Sequence, residues 1–320
     1  MSTADPDGAG PVAHLRARLD RGQVVVLDGG TGTEMSARGG AFDPEAWSAT
    51  ANLDAPGLVR EVHESFIDAG AEVVITNTFS TTRPRLAAAG RVSELSDAVA
   101  NAVRAARDAA GTAAGPVAVG GSIGLPGATV QPPETDAMDY DAAYRIFTEQ
   151  AELLAGNGVD FLALEMVETL DRGVPALRAA LATGLPVWLG VSCRLTESGE
   201  VQAGAAPEPG QGTLADLLEV LLDDRLWAVV VMHSTLDVVG PALRLIRDRW
   251  DGPLGAYPHH GSYDRAALAW RLGELSPEQL LEGAAAWVGL GAQLVGGCCG
   301  TGPEHIRRLA SGVPRTVPAA

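Results

Sequence analysis

Eight short, continuously apolar runs recur along the chain. They are VVVLDGG (24–30), EVVITNT (72–78), PVAVGGSIG (116–124), FLALEM (161–166), PVWLGVSC (186–193), AVVVMHS (228–234), GPLGAYPHH (252–260) and AQLVGGCCG (292–300). Runs of this length that end in Gly, Asp, Asn, Glu, Cys or His have the character of parallel strands buried on both faces. Most segments between them carry apolar residues at helical spacing instead. Leu58, Val62, Phe66 and Ile67 follow an Asp54-Ala55-Pro56-Gly57 start signal, and 88–110, 140–157, 168–183, 213–223, 237–249 and 277–288 read the same way. Eight strand and helix alternations predict an α/β fold, a single-domain (β/α)8 TIM barrel with its site at the C-terminal strand ends. A doubly wound open sheet is the competing arrangement. The boundaries expected are an N-terminal extension and helix over 1–22, the barrel over 23–312 and a tail over 313–320. Two long connections, 125–139 and 195–212, follow the third and fifth strands on the active face; they are candidate lids or plain surface insertions.

Composition narrows the chemistry. Twenty-three basic residues against forty acidic ones leave a formal net charge of −17, a field that repels nucleic acid and acidic membrane surfaces. All twenty-three basic residues are arginine, which excludes Schiff-base, Walker-lysine and lysine-base mechanisms. Three cysteines, two of them adjacent, make no disulfide framework. The opening MSTADPDGAGPV has no apolar stretch of the signal-peptide type, and no run is suited to span a membrane, so a cytoplasmic location is expected.

In the barrel reading the strand ends converge on one mouth. They bring together Asp28, Gly29 and Gly30, then Thr76 and Asn77, Ser122, Glu165, Cys193, His233 and Ser234, His259 and His260, and Cys298 and Cys299. All three cysteines and three of the six histidines fall there, whereas His14, His63 and His305 lie in helical segments. Thiolates and imidazoles in one mouth favour Zn2+, although neither CxxC nor HExxH is present. A zinc ion with an open position lowers the pKa of a bound thiol and makes it a nucleophile near neutral pH. Asp28 and Glu165 are the candidate catalytic acids, suited to fix a substrate ammonium. Backbone N–H groups around Gly29, Gly30, Thr76 and Asn77 are suited to a carboxylate. The Asp-Gly-Gly segment also reads as a tight turn in which Asp28 only caps backbone. GGTGT lacks the spacing of a dinucleotide-binding loop.

Across roughly 23–310 the sequence resembles the homocysteine S-methyltransferases. The motifs are VVLDGGTGTEM (25–35), the tryptophan of PEAW (44–47), VHESFIDAGAEVVITNTF (62–79), GGSIGLPG (120–127), DFLALEMVET (160–169), AYPHHG (256–261) and GAQLVGGCCGTGPEHI (291–306). The resemblance implies a zinc ion held by three cysteine thiolates, two from GGCC and one from the end of the sixth strand. It also implies homocysteine activated as a thiolate that attacks a methyl group on a sulfonium, ammonium or folate donor. Cys298 and Cys299 match the paired ligands, and Asp28 and Glu165 match acids that hold the amino acid.

Two positions depart from the pattern. His233-Ser234-Thr235 stands where the family has Asn-Cys-Thr, and Tyr257-Pro258-His259 stands where it has YPN. The metal set expected from this pair of changes is Cys298, Cys299, His233 and His259, with His259 leaving as substrate arrives. Cys193 or Ser234 is the alternative third ligand, and a weakened zinc site is the remaining option. No cobalamin or folate module follows the barrel, so the expected donor is a small sulfonium, S-methylmethionine or S-adenosylmethionine, with betaine the less favoured alternative, and the acceptor homocysteine or a related thiol or selenol. Trp47 is suited to stack on the donor cation or to anchor the first loop. Two other readings compete: a zinc-dependent transferase or demethylase for another thiol, and a non-catalytic binding paralogue.

Overall fold

The computed structural model describes residues 10–125, 139–205, 211–264, 269–271, 273 and 275–318. Each apolar run supplies one strand: β1 Val25–Val26, β2 Val73–Ile75, β3 Ala118–Gly124, β4 Phe161–Val167, β5 Val187–Val191, β6 Leu226–Met232, β7 Leu254–Tyr257 and β8 Ala292–Val295. Sequential strands pair in parallel from β2 through to β8, and β8 pairs with β1. The circle closes where Leu27 bridges Val73 and the Asp28 N–H donates to the Val73 carbonyl at 3.1 Å. Closure removes both sheet edges and decides between the two arrangements in favour of the (β/α)8 barrel.

The strands are buried on both faces because successive side chains alternate between two apolar layers. Phe161, Ala163, Trp188, Ala228, Val230 and Leu294 belong to the cluster filling the barrel. Leu162, Leu164, Leu189, Val229 and Val231 pack outward with the helices. The N-terminal helix Pro11–Asp20 adds Leu15 and Leu19 to the inner cluster, and its Leu19 carbonyl accepts from Gln293 at 2.6 Å. The Arg16 guanidinium sits 5.1 Å above the Trp227 ring. This helix covers one barrel end, which leaves chemistry to the other.

Helices at Pro56–Asp68, Tyr140–Gly156, Leu170–Ala182, Leu214–Leu221, Leu236–Arg247 and Pro277–Gly289 match the periodic segments within a few residues. The segment expected as 88–110 is helical only from Leu95 to Ala110 after a short 3-10 turn at Val92–Glu94, and a separate short helix, Arg83–Ala88, precedes it. Gly90 between them has φ +71°, a left-handed conformation that ends a helix and that apolar spacing does not reveal. From the end of the fifth run into the 195–212 connection, Cys193–Leu195 pairs antiparallel with Val201–Ala203, a hairpin where the connection is expected as loop; 206–210 lie outside the described residues. Of the other candidate lid only Leu125 and Asp139 are described. Ser262–Asp264 and Ala269–Arg271 form a further unexpected hairpin after β7. No described helix is long and apolar enough to cross a membrane.

The helix Pro56–Asp68 buries Val59, Val62 and Phe66, and among them His63. Neither ring nitrogen of His63 has a hydrogen-bond partner among the described residues, and burial alone lowers its pKa to about 4. An unfolded histidine titrates near 6.5, so between about pH 6.5 and 4 the unfolded chain binds the extra proton. Stability is then full above about pH 6.5 and declines by roughly 3 kcal/mol as pH falls through that window. Urea midpoints measured from pH 7 down to 4 should fall for the parent relative to His63→Leu, and a gap that does not change with pH would contradict this.

Candidate active site

Beyond β8 the chain turns through Gly296–Gly300 across the barrel mouth. The loop is held from both sides. Gly297 N–H donates to the Asp28 carbonyl at 3.1 Å and Gly300 N–H to Thr33 Oγ1 at 3.0 Å, while Cys298 N–H reaches the Pro258 carbonyl at 2.8 Å. Gly300 has φ +84°, and a Cβ there would lie 2.7 Å from the His260 carbonyl, so only glycine fits the turn. The backbone thus fixes Cys298 and Cys299 independently of their sulfurs, which lie 3.9 Å apart and half-buried.

His233 follows β6 directly with φ +43°, a strained conformation for a residue with a side chain. The turn brings its Nδ1 to 3.6 Å from Cys298 Sγ. Ligand atoms of His233, Cys298 and Cys299 all lie within 4.8 Å of one another, the one such metal-type group among the described residues. Donation from Cys298 holds the Cys299 thiol below the usual range, with His233 adding to the effect. The bond to Cys299 together with burial pushes Cys298 up. Burial disfavours charge on His233, but the Cys299 thiolate, Glu168 and Glu165 outweigh it and raise its pKa. One thiolate forms readily in this setting and a second does so only beside a cation.

The other candidate ligands occupy different places. Ser234 is fully buried, donating to the Met232 carbonyl at 2.8 Å and accepting from Cys193 N–H at 2.8 Å. Cys193 is buried in the outer apolar layer, where burial and the charge of Glu168 raise its pKa. His259 stands outside the group of three: its ring lies 4.4 Å from that of His233, centroid to centroid, tilted by 44°. Burial lowers its pKa to about 3, with the His233 charge acting in the same direction and the His233 backbone opposing it.

Two buried acids face this mouth. Glu165 accepts from the Ser122 hydroxyl and, at 3.1 Å, from the Tyr257 hydroxyl; burial raises its pKa to about 6 against those two bonds. Asp28 Oδ2 accepts from Ile75 N–H at 2.8 Å, yet burial and the Glu165 charge hold its pKa well above the carboxylate range. Burial at this level is costly for a carboxylate without a cation partner. The run-end pattern assigns no role to Ser122, Tyr257 or Glu168. Glu168 lies in the same LEMVET stretch as Glu165, is buried, and accepts from Ala205 N–H at 3.3 Å. Its signal was an acid three residues beyond Glu165, past a left-handed Met166 at φ +58° that no propensity anticipates.

Gly30 and Thr76 direct their N–H groups to the Thr301 and Gly120 carbonyls, both at 2.9 Å. The Asn77 side chain turns into a buried net. It accepts from the Ser48 hydroxyl at 2.8 Å and donates to the Ser48 carbonyl and Asn52 Oδ1, both at 2.9 Å. No hydrogen bond from the N–H of Gly29 or Asn77 is found among the described residues. The net secures the loop carrying Trp47, whose ring packs near Phe42 and Phe79 at centroid distances of 5.6 and 6.5 Å.

Comparison with known proteins agrees with this barrel. A sequence model for the family described as homocysteine S-methyltransferase matches residues 25–313. The chain is 31% identical over 310 residues to the homocysteine S-methyltransferase of Escherichia coli strain K12, covering 92% of this chain and 97% of the relative. It is 26% identical to the selenocysteine methyltransferase of Astragalus bisulcatus, with 90% of this chain and 92% of that protein covered. The crystal structure of the E. coli homocysteine methyltransferase MmuM in its metallated form superposes with a TM-score of 0.76 at 26% identity, over 93% of this chain and 99% of that one. The extent of these matches and the barrel they share place this chain in the homocysteine S-methyltransferase family, as a methyltransferase enzyme.

Proposed function

We propose that the chain transfers a methyl group from a small sulfonium, S-methylmethionine or S-adenosylmethionine, to the sulfur of homocysteine or to a related thiol or selenol, using zinc held by His233, Cys298 and Cys299. The observation that carries this reading is the convergence of those three side chains within 4.8 Å, beside two buried acids. The donor set suits zinc: two thiolates balance a divalent ion, and an imidazole completes three protein ligands with a fourth position open. Bound by these residues, zinc would supply the positive charge that lowers an acceptor thiol's pKa toward neutral pH.

The chain's own residues do the rest. Asp28 and Glu165 bind the acceptor's ammonium, which supplies the cation that their burial lacks. Ser122 and Tyr257 hold Glu165 in place for it. The N–H groups of Gly29 and Asn77 are suited to the acceptor carboxylate, the Thr76 amide being already engaged. The aromatic face of Trp47 receives the donor sulfonium, whose charge vanishes on transfer. The acceptor sulfur forms its bond to the methyl carbon as the donor's carbon–sulfur bond breaks, and the donor departs as a neutral thioether. His259 is assigned no place among the ligands, unlike the four-ligand set expected from the sequence.

A panel of donors against acceptors tests this. Purified protein should contain about one zinc per chain and form methionine from homocysteine with a sulfonium donor faster than with betaine. Absence of methyl transfer from every donor in zinc-loaded protein would refute the reading.

A further inference from the structure

We propose that His259 is a positioning residue that braces His233, so that the imidazole of His233 is presented to the cysteine pair in a conformation it would not hold by itself. The inference rests on the metal reading above. His233 is one of three residues other than glycine with positive φ among those described, and such a conformation persists only when its surroundings impose it. The bracing elements come from the β7 side and from the neighbouring β5 and β6 ends. His233 N–H donates to the Tyr257 carbonyl at 3.3 Å, and His259 N–H donates to the Ser234 carbonyl at 3.1 Å, so backbone bonds flank the strained residue on both sides. Between those bonds the His259 ring rests against the His233 ring at 4.4 Å. Ser234 pins the next position through the Met232 carbonyl and the Cys193 amide. Rotation of the His233 imidazole away from the sulfurs therefore requires displacing the His259 ring, which is itself only 8% exposed.

A brace and a ligand respond differently to substitution. A ring without nitrogen keeps the ring-to-ring contact while removing any coordination along with the ring's interaction with the His233 backbone, whereas alanine removes the ring contact as well. Full-length His259→Phe, His259→Ala and His233→Ala are compared with the parent by zinc competition against a chromophoric chelator and by the absorption of the cobalt-substituted proteins. Circular dichroism verifies that each is folded. The expected result is that His259→Phe keeps zinc affinity within about threefold and leaves the cobalt spectrum unchanged. His259→Ala should weaken zinc about 10- to 100-fold, the range for residues that orient a ligand, and His233→Ala should weaken it further. If His259→Phe loses zinc as completely as His233→Ala, His259 is a ligand and the proposal is overturned. If His259→Ala binds zinc like the parent, His259 does not brace the site and the metal reading stands alone. If the parent takes up no zinc, the metal reading and this proposal fall together.

Discussion

Replacing Cys298 or Cys299 with serine is expected to cut methyl transfer by on the order of 10³-fold or more, since metal activation of a nucleophile contributes several kcal/mol. The fold should survive the change. The loop is fixed by the Gly297, Cys298 and Gly300 amides rather than by sulfur, and both side chains are only half-buried. Thermal melts of the variants should accordingly stay close to those of the metal-free parent. Exhaustive dialysis of the parent against a chelator should reproduce the loss, with zinc restoring the parent and not the serine variants. Unchanged turnover after removal of all metal would be incompatible with thiolate activation by a cation.

Asp28→Asn and Glu165→Gln should act on the acceptor alone. Each removes a charge-assisted hydrogen bond to the ammonium, of about 1.5–3 kcal/mol, so KM for homocysteine should rise roughly 10- to 100-fold while KM for the donor hardly moves. An acceptor thiol that lacks the amino group should react equally with parent and variants. The same substitutions should alter stability in the opposite sense. Burial disfavours the charged form of both carboxylates, and Asp28 meets the Glu165 charge as well. Asparagine at 28 retains an oxygen for Ile75 N–H, so Asp28→Asn should raise the melting temperature of the substrate-free enzyme. Equal effects on donor and acceptor KM would show that the acids shape the mouth rather than bind the ammonium.

The barrel was legible because its strands are buried on both faces and so appear as uninterrupted apolar runs, each giving one strand in the expected order. What ends a run was informative too, since polar residues at the C-terminal strand ends have no core to fill. Features set by single backbone conformations were not legible. Gly90, in a left-handed conformation between the helices Arg83–Ala88 and Leu95–Ala110, is one, and Met166 and His233 in left-handed turns are others. Those turns decide which side chain of His233-Ser234 meets the cysteine pair, and a linear alignment of residues cannot supply that orientation. The placing of Asn77 shows the same limit: its side chain serves a net with Ser48 and Asn52, residues some 25 to 29 positions away. Glu168 was overlooked because its neighbours in space, the Ala205 amide and the charge of His233, come from other strand ends.

X-ray absorption at the zinc edge, recorded with and without acceptor, tests the central claim most directly. Substrate-free enzyme should show two sulfurs near 2.3 Å and nitrogen near 2.0–2.1 Å. Homocysteine should add a third sulfur, and selenohomocysteine a zinc–selenium shell. Three sulfurs before substrate, or a shell that no acceptor alters, would contradict the site built from His233, Cys298 and Cys299.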